Sequence, residues 1–204
     1  MCPREPASIH SEEQRPADPS TGLSGADIET LRRVALDSIR MGLSHGRPLT
    51  VEPADFPPRL GAPGAVFVTL EKGGTLRGCI GSHLAHRPLV EDVAKNAFAA
   101  AFRDPRFPAL VEEELEDLEF HISLLTHPER MTVGSREELL RRLRPGLDGL
   151  LLEDPPRRST FLPQVWDALP DPQDFLEELL LKGGFPRDHW SQTLQVSRYT
   201  VLEF

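Results

Sequence analysis

The chain has 204 residues and a formal net charge of −9, with 39% hydrophobic and 27% charged residues. These values are typical of a folded domain and exclude a fibrous or wholly disordered chain. The acidic balance makes nucleic acid an unfavourable partner, because nucleic-acid binders normally present a basic surface. No apolar run reaches the ~20 residues that cross a bilayer, and no signal-peptide pattern is found, so no membrane contact is predicted. With two cysteines, Cys2 and Cys79, a reduced cytoplasmic protein is favoured.

The first 22 residues predict a disordered tail, because they combine proline, charge and small polar residues with almost no apolar side chains. Residues 23–204 are predicted to form the domain. Ser24 is a typical helix N-cap, and the apolar spacing behind it predicts a helix that ends near Gly46.

The remaining chain alternates between strand-like and helix-like segments. The pattern predicts, in order, a hairpin over 65–81 that turns at Gly73-Gly74, a helix over 88–103, a strand over 118–126, a short helix from Ser135, a second hairpin over 147–162, helices over 164–169 and 173–182, and a final strand over 194–204. Hairpins interspersed with helices predict an α+β fold with a mostly antiparallel sheet flanked by helices.

The segment 76–81, LRGCIG, carries the clearest chemical pattern. In a regular strand Arg77 and Cys79 share one face at a spacing of about 6.6 Å. A guanidinium beside a thiol stabilises the thiolate and lowers the thiol pKa, and the backbone at Gly78 and Gly81 admits a close ligand. The hypothesis is a reactive cysteine in a cleft. The alternative is a small buried Cys79 with Arg77 in a structural ion pair.

Several motifs, in this order along the chain, resemble the AMMECR family. They are FVTLEKGGTLRGCIGS (67–82), AFAAAFRDPRFPAL (97–110), EELEDLEFHISLLT (113–126), DGLLLE (148–153), RRSTFLPQVW (157–166) and LLLKGGFP (179–186). The pattern is similar to the bacterial branch called AmmeMemoRadiSam system protein A. The resemblance implies an α+β fold with a larger and a smaller lobe, a cleft that carries LRGCIG, and a pathway shared with Memo-like and radical SAM proteins as possible partners. It implies no particular reaction.

Polar residues inside these motifs extend the candidate site. Arg103 and Asp104 follow a predicted helix, where they either face the cleft or form an ion pair that fixes the turn. His121 is the candidate to take the proton of the Cys79 thiol, although a histidine exposed at the surface fits the same pattern.

The C-terminal motifs contribute Arg158, Thr160 and Lys182 as candidate substrate-binding residues. Arg158 is suited to an anion such as a carboxylate or phosphate, or else lies in a solvated turn. Lys182 either joins the site or only complements the C-terminus of its helix.

A metal centre is not predicted. Cys79, His83 and His86 have the residue types of metal ligands, but they are only three, and Arg77 repels a cation. No cofactor is predicted either. The cleft is expected to recognise a small molecule or a modified peptide. It does so either with cysteine chemistry, in which Cys79, Arg77 and His121 are catalytic, or as a non-catalytic binding or adaptor module. A regulator of RNA or translation that uses a local arginine patch is a third alternative.

Overall fold

The computed structural model describes residues 22–204, so all of the predicted tail except Gly22 lies outside the described residues. The helices are α1 (Gly25–His45), α2 (Pro58–Gly61), α3 (Leu89–Phe102), α4 (Arg136–Arg142) and α5 (Pro172–Lys182), with 3-10 helices at Pro53–Asp55, Glu112–Asp117 and Pro163–Asp167. The strands are β1 (Pro63–Gly64), β2 (Val66–Lys72), β3 (Thr75–Gly81), β4 (Arg87–Pro88), β5 (Leu118–Leu125), β6 (Glu129–Arg130), β7 (Gly149–Asp154), β8 (Arg157–Phe161), β9 (Gln195–Tyr199) and β10 (Val201–Glu203).

Two four-stranded antiparallel sheets organise the chain, where the sequence predicted one. The first has the order β10-β5-β2-β3 and the second the order β6-β9-β7-β8, while β1 and β4 form a short separate ladder. The α+β class with antiparallel pairing is thereby confirmed.

Helices α1 and α3 cover one face of the first sheet. Ser24 caps α1 through a capping box with Asp27, as its position predicts. The hydroxyl of Ser38 on α1 donates to the carbonyl of Ala94 on α3 at 2.6 Å, which ties the two helices together. The residues that pack beneath them include Val68 of β2, which is fully buried. The opposite face of this sheet therefore remains available for a site.

A second hydrophobic core lies between the second sheet and helices α4 and α5. Its centre is the stacked pair of Trp166 and Phe175, whose ring centroids are 3.8 Å apart. Leu150 and Leu152 of β7 pack against the same cluster and are fully buried. Among residues 22–204, no helix is both long enough and apolar enough to span a membrane.

The predicted final strand over 194–204 is divided between the two sheets. β9 pairs with β7 in the second sheet, whereas β10 pairs with β5 in the first. The change occurs at Thr200, whose N–H donates to Thr126 Oγ1 at 2.9 Å and whose carbonyl accepts the N–H of Thr126 at 2.9 Å. The C-terminal segment therefore links the two sheets directly.

Candidate functional site

A β-bulge in β3 changes the direction of Arg77. Leu70 pairs with Gly78 while Glu71 pairs with Leu76, so Arg77 has no partner in β2 and is the extra residue of the bulge. Both Arg77 and Gly78 are buried, and a Cβ added at Gly78 would overlap the backbone carbonyl of α3. A bulge places its extra residue beside the next one and re-aims the side chain. The expectation that Arg77 shares a face with Cys79 is therefore wrong.

The guanidinium of Arg77 instead forms a bidentate ion pair with Glu114. Its Nε lies 3.0 Å from Oε1 and its Nη2 lies 2.9 Å from Oε2. This contact, with Lys72 at 3.6 Å, holds the pKa of Glu114 at about 2, because the hydrogen bond to Arg77 stabilises the carboxylate. Arg77 thus anchors the 3-10 helix that carries Glu114, which agrees with the structural alternative for this residue.

The turn after α3 supplies hydrogen bonds to the outer edge of β3. The N–H of Cys79 donates to Asp104 Oδ2 at 2.8 Å, and Arg106 Nη2 donates to the Cys79 carbonyl at 3.2 Å. Hydrogen bonds from Arg106 and from the Cys79 N–H hold the pKa of Asp104 well below its usual range. Edge strands expose unpaired backbone groups, so this turn caps the strand at Cys79.

The ion pair in this turn differs from the expected one. Asp104 pairs with Arg106, whose Nη2 lies 2.6 Å from Oδ2. Arg103 lies over the ring of Phe98, with Cζ 5.5 Å from the ring centroid. Arg106 is therefore the guanidinium nearest to the Cys79 backbone, and Asp104 faces the strand edge and supports it.

His121, Thr69 and Cys79 form a row across the first sheet on the face away from α3. Thr69 pairs with Cys79 on one side and with His121 on the other. The hydroxyl of Thr69 donates to Cys79 Sγ at 3.4 Å. The histidine backbone lies two strand spacings from the cysteine, about 10 Å, and His121 Nε2 lies 4.0 Å from Glu71 Oε2. His121 and Cys79 thus share a face without a mutual hydrogen bond in the described part of the chain.

The two glycines of LRGCIG are packed closely against other parts of the protein on the side where a Cβ would lie, and their predicted contact with a ligand stays a prediction. Protein atoms occupy the space beside both, because a Cβ at Gly78 would overlap the carbonyl of Ala100 and one at Gly81 would overlap the ring of Phe67. Each glycine allows two parts of the protein to approach closely. Their role is packing of β3 against α3 and against the Phe67 ring.

The Cys79 thiol borders a cavity of about 170 Å3, called here the thiol cavity. Its wall is formed by Phe67, Thr69, Cys79, Ser123, Leu125, Leu162, Gln164 and Val201. Phe67, Thr69 and Ser123 come from the face of the first sheet that points away from α3, while Leu162 and Gln164 follow β8 of the second sheet. No charged side chain contributes to this wall.

A larger cavity of about 280 Å3, called here the basic cavity, is lined by residues of both sheets. Its polar wall includes Arg158, Thr160, Tyr199, His83 and His127, and none of its lining residues is an aspartate or glutamate. The chain has a net charge of −9, whereas the polar side chains that line this cavity are basic or carry hydroxyl groups. The structure therefore brings Arg158 and Thr160 to the same cavity, and their role in substrate binding stays a prediction.

The hydroxyl groups of the basic cavity are held in fixed positions. Thr160 Oγ1 donates to the carbonyl of Leu150 at 2.9 Å and lies 2.8 Å from Tyr199 Oη, which donates to the carbonyl of Phe161 at 2.9 Å. Burial raises the pKa of Tyr199 to about 12, so the phenol stays protonated at neutral pH. The pair presents neutral hydroxyls to a ligand.

Lys182 lies behind this wall. Its Nζ donates to the carbonyl of Thr160 at 2.8 Å and lies over the Phe161 ring. Partial burial lowers the pKa of Lys182. Burial, with the charge of Lys182, also lowers the pKa of His83, so His83 is neutral at pH 7.

From the sequence, His83 was a candidate only as a metal ligand, and Tyr199 was not among the candidate residues. The structure places both in the basic cavity, and the ring of His83 packs edge-on against Phe67, with centroids 5.0 Å apart. Within residues 22–204, no group of three or more His, Cys, Asp or Glu side chains is arranged to hold a metal ion.

The two cavities are neighbours. Leu125 borders both of them, and Phe67 lines the thiol cavity while it touches His83 of the basic cavity. We refer to the two cavities together as the inter-sheet site. It combines a basic part and an uncharged part that contains a thiol.

Comparison with known proteins gives consistent matches. The AMMECR1 family model matches residues 32–204. A protein of Methanothermobacter thermautotrophicus is 39% identical over 171 residues, which cover 81% of this chain and 86% of that protein. A Thermococcus onnurineus protein is 39% identical over 188 residues, covering 86% and 88%. The crystal structure of the uncharacterized protein PH0010 from Pyrococcus horikoshii superposes with a TM-score of 0.69 at 37% identity, covering 86% of this chain and 89% of that chain.

Proposed function

This chain belongs to the AMMECR1 family, and we propose that its inter-sheet site binds a small anionic molecule or the acidic group of a modified peptide. The placement in the bacterial AmmeMemoRadiSam branch stays a prediction, since the relatives reported above are archaeal. The shared pathway with Memo-like and radical SAM partners belongs to the proposal as well, and its support is the sequence resemblance alone.

The observation that carries the proposal is the composition of the basic cavity. Arg158, His83 and His127 line it without any carboxylate, although the chain as a whole has nine more acidic than basic side chains. Small-molecule sites combine apolar walls with a few convergent polar groups. Here Leu84, Leu125 and other apolar residues form the wall, and the convergent groups suit a carboxylate or phosphate.

Arg158 is the residue best suited to hold the anion. Its Nε lies 3.3 Å from Glu153 Oε1, and its side chain is 40% exposed, so the existing ion pair is weak. A guanidinium forms paired hydrogen bonds with a carboxylate or phosphate. The neutral imidazole of His83 adds an N–H donor beside the same space, whereas the Thr160 hydroxyl already donates to the carbonyl of Leu150.

Binding without chemistry is better supported than cysteine catalysis. The hydroxyl of Thr69 donates to Cys79 Sγ at 3.4 Å. However, the Arg77 guanidinium is engaged by Glu114, and His121 makes no hydrogen bond with the thiol in the described part of the chain. A nucleophilic cysteine needs a base within hydrogen-bond reach. The inter-sheet site is therefore proposed primarily as a recognition site.

Calorimetric titration with benzoate, and separately with inorganic phosphate, tests the proposal. We expect Arg158→Ala to weaken binding of the preferred anion by about tenfold or more at low salt, which is the effect of losing one charge-assisted hydrogen bond. Arg141→Ala is the matched control, because Arg141 is an exposed arginine of α4. Equal affinities for the two variants, or no binding of either anion, would reject the basic cavity as an anion site.

A further inference from the structure

The thiol cavity contains polar groups that the protein leaves without partners. Ser123 is 7% exposed and lines this cavity, and within residues 22–204 its hydroxyl forms no hydrogen bond. Gln164 borders the same space, and its side-chain amide has no hydrogen bond in the described part of the chain. The Ser123 hydroxyl, in a residue that is 7% exposed, and the amide of the exposed Gln164 are therefore both free to bind a ligand in this cavity.

The chemistry of the wall restricts that occupant to an uncharged group. No charged side chain lines the thiol cavity, and burial of an unpaired charge is costly. A serine hydroxyl both donates and accepts, and so does a glutamine amide. A planar amide in the ligand can accept a hydrogen bond through its carbonyl and donate one through its N–H. The remaining wall, including Phe67, Leu125 and Val201, is apolar and suits a flat ring or a short hydrocarbon.

The position of the cavity connects it to the proposed anion site. Leu125 forms part of the wall of both cavities, so the two cavities lie next to each other with this side chain at their common border. The volumes of about 280 and 170 Å3 together reach the range of small-molecule sites, about 300–1,000 Å3. A ligand that fills both parts therefore has an acidic end and an uncharged end.

We infer that the thiol cavity is a second subsite, and that the inter-sheet site takes an acid with an uncharged amide arm, the chemistry of N-acylated amino acids and of peptide C-termini. The acid group binds beside Arg158, and the amide arm binds Ser123 and Gln164. This inference rests on the proposed function for the acid end. It adds Ser123 and Gln164 as binding residues, and an acid with an amide arm as the ligand class.

Three related probes separate the two subsites. Benzoate joins a phenyl ring to an acid, benzamide joins the same ring to an uncharged amide, and hippurate (N-benzoylglycine) carries the ring, the amide and the acid together. In calorimetric titrations we expect hippurate to bind at least tenfold more tightly than either fragment. Ser123→Ala should weaken benzamide and hippurate by about fivefold, the effect of one hydrogen bond, and leave benzoate unchanged. Arg158→Ala should weaken benzoate and hippurate and leave benzamide unchanged.

A thiol-protection assay provides a second measurement at the same cavity. In the full chain with Cys2→Ser, Cys79 is the sole cysteine, and its alkylation by iodoacetamide reports on access to the thiol cavity. Benzamide should slow this reaction, whereas benzoate should not. If Ser123→Ala fails to fold, Gln164→Ala carries the test, because this glutamine lies at an exposed position.

The outcomes distinguish this inference from the anion proposal. The second subsite is overturned if neither Ser123→Ala nor Gln164→Ala changes benzamide affinity, or if hippurate binds no more tightly than benzoate. In that case, the proposed function still holds if benzoate binding depends on Arg158. If benzoate binding is absent or independent of Arg158, the proposed function itself fails and the combined ligand class fails with it.

Discussion

The carboxylate of Asp104 joins the turn after α3 to the edge of β3, and its replacement by asparagine tests that assignment. It accepts the N–H of Cys79 at 2.8 Å, and the N–H and Nε of Arg106 at 3.1 and 2.9 Å. The Asp104 side chain is 2% exposed. Asparagine keeps one acceptor oxygen, but the other oxygen is replaced by an NH2 group, which cannot accept a hydrogen bond from Cys79 or Arg106. At least one of these donors is therefore left without a partner.

The expected loss follows from which donors can return to water. Hydrogen bonds to a charged group contribute about 1.5–3 kcal/mol each. The Arg106 side chain is 54% exposed, so its guanidinium is rehydrated at little cost, whereas the Cys79 N–H on the covered edge is not. We expect Asp104→Asn to lower the free energy of unfolding by about 2–3 kcal/mol. For a domain of this size, the corresponding decrease in Tm is roughly 5–10 °C.

Urea denaturation and amide hydrogen exchange measure the two consequences separately. The midpoint should fall with the m-value unchanged, and the Cys79 amide should lose protection. Asp188→Asn is the control, since Asp188 is exposed. A stability of Asp104→Asn within about 0.5 kcal/mol of the control, with the Cys79 amide still protected, would refute the assignment of this turn as the cap of β3.

The same variant has a predictable pH dependence. Hydrogen bonds from Arg106 and from the Cys79 N–H depress the pKa of folded Asp104, so its stabilising effect is fully present above the unfolded pKa of about 3.9. It is lost as pH falls toward the folded value. The stability difference between wild type and Asp104→Asn should therefore be constant near neutral pH and should shrink below about pH 4.

Two further substitutions test the corrected geometry of β3. Gly78→Ala should destabilise the protein by about 3 kcal/mol, because its Cβ would overlap the carbonyl of Ala100; Gly134→Ala, where the added Cβ has ordinary contacts, should have little effect in the same thermal denaturation. Arg77→Lys should cost about 1–2 kcal/mol because lysine cannot reproduce the bidentate pair with Glu114. The same substitution should change the alkylation rate of the Cys79 thiol by less than twofold. A large decrease in that rate would instead support the predicted proximity of the Arg77 guanidinium to the thiol.

Features set by neighbouring residues were predictable from the sequence. Ser24 caps α1 because its hydroxyl reaches the N–H three residues ahead, and the turn at Gly73-Gly74 forms because both glycines accept positive φ angles. Helix α3 ends before Pro105, as expected from the restricted geometry of the residue before a proline. Each of these depends on a few adjacent residues, so the pattern alone is sufficient.

Features that depend on distant partners were not predictable in this way. The alternation rule placed Arg77 beside Cys79, but the bulge at Arg77 adds one residue to the ladder, and its side chain pairs with Glu114, 37 positions away. The strand-like run over 194–204 was predicted as one strand. Its division at Thr200 depends on hydrogen bonds to Thr126, 74 positions earlier.

The same distinction explains why the most recognisable motifs marked the site only in part. LRGCIG and the turn that contains Asp104 lie together because the carboxylate binds the backbone of Cys79, which is a supporting contact and independent of any ligand. The groups that face the cavities come largely from separate places, such as His83 after β3, Ser123 in β5 and Gln164 after β8. A motif that builds the scaffold is continuous in sequence, whereas a binding wall between two sheets is assembled from positions scattered along the chain. The sequence therefore located the strand at the site more readily than the side chains that would hold a ligand.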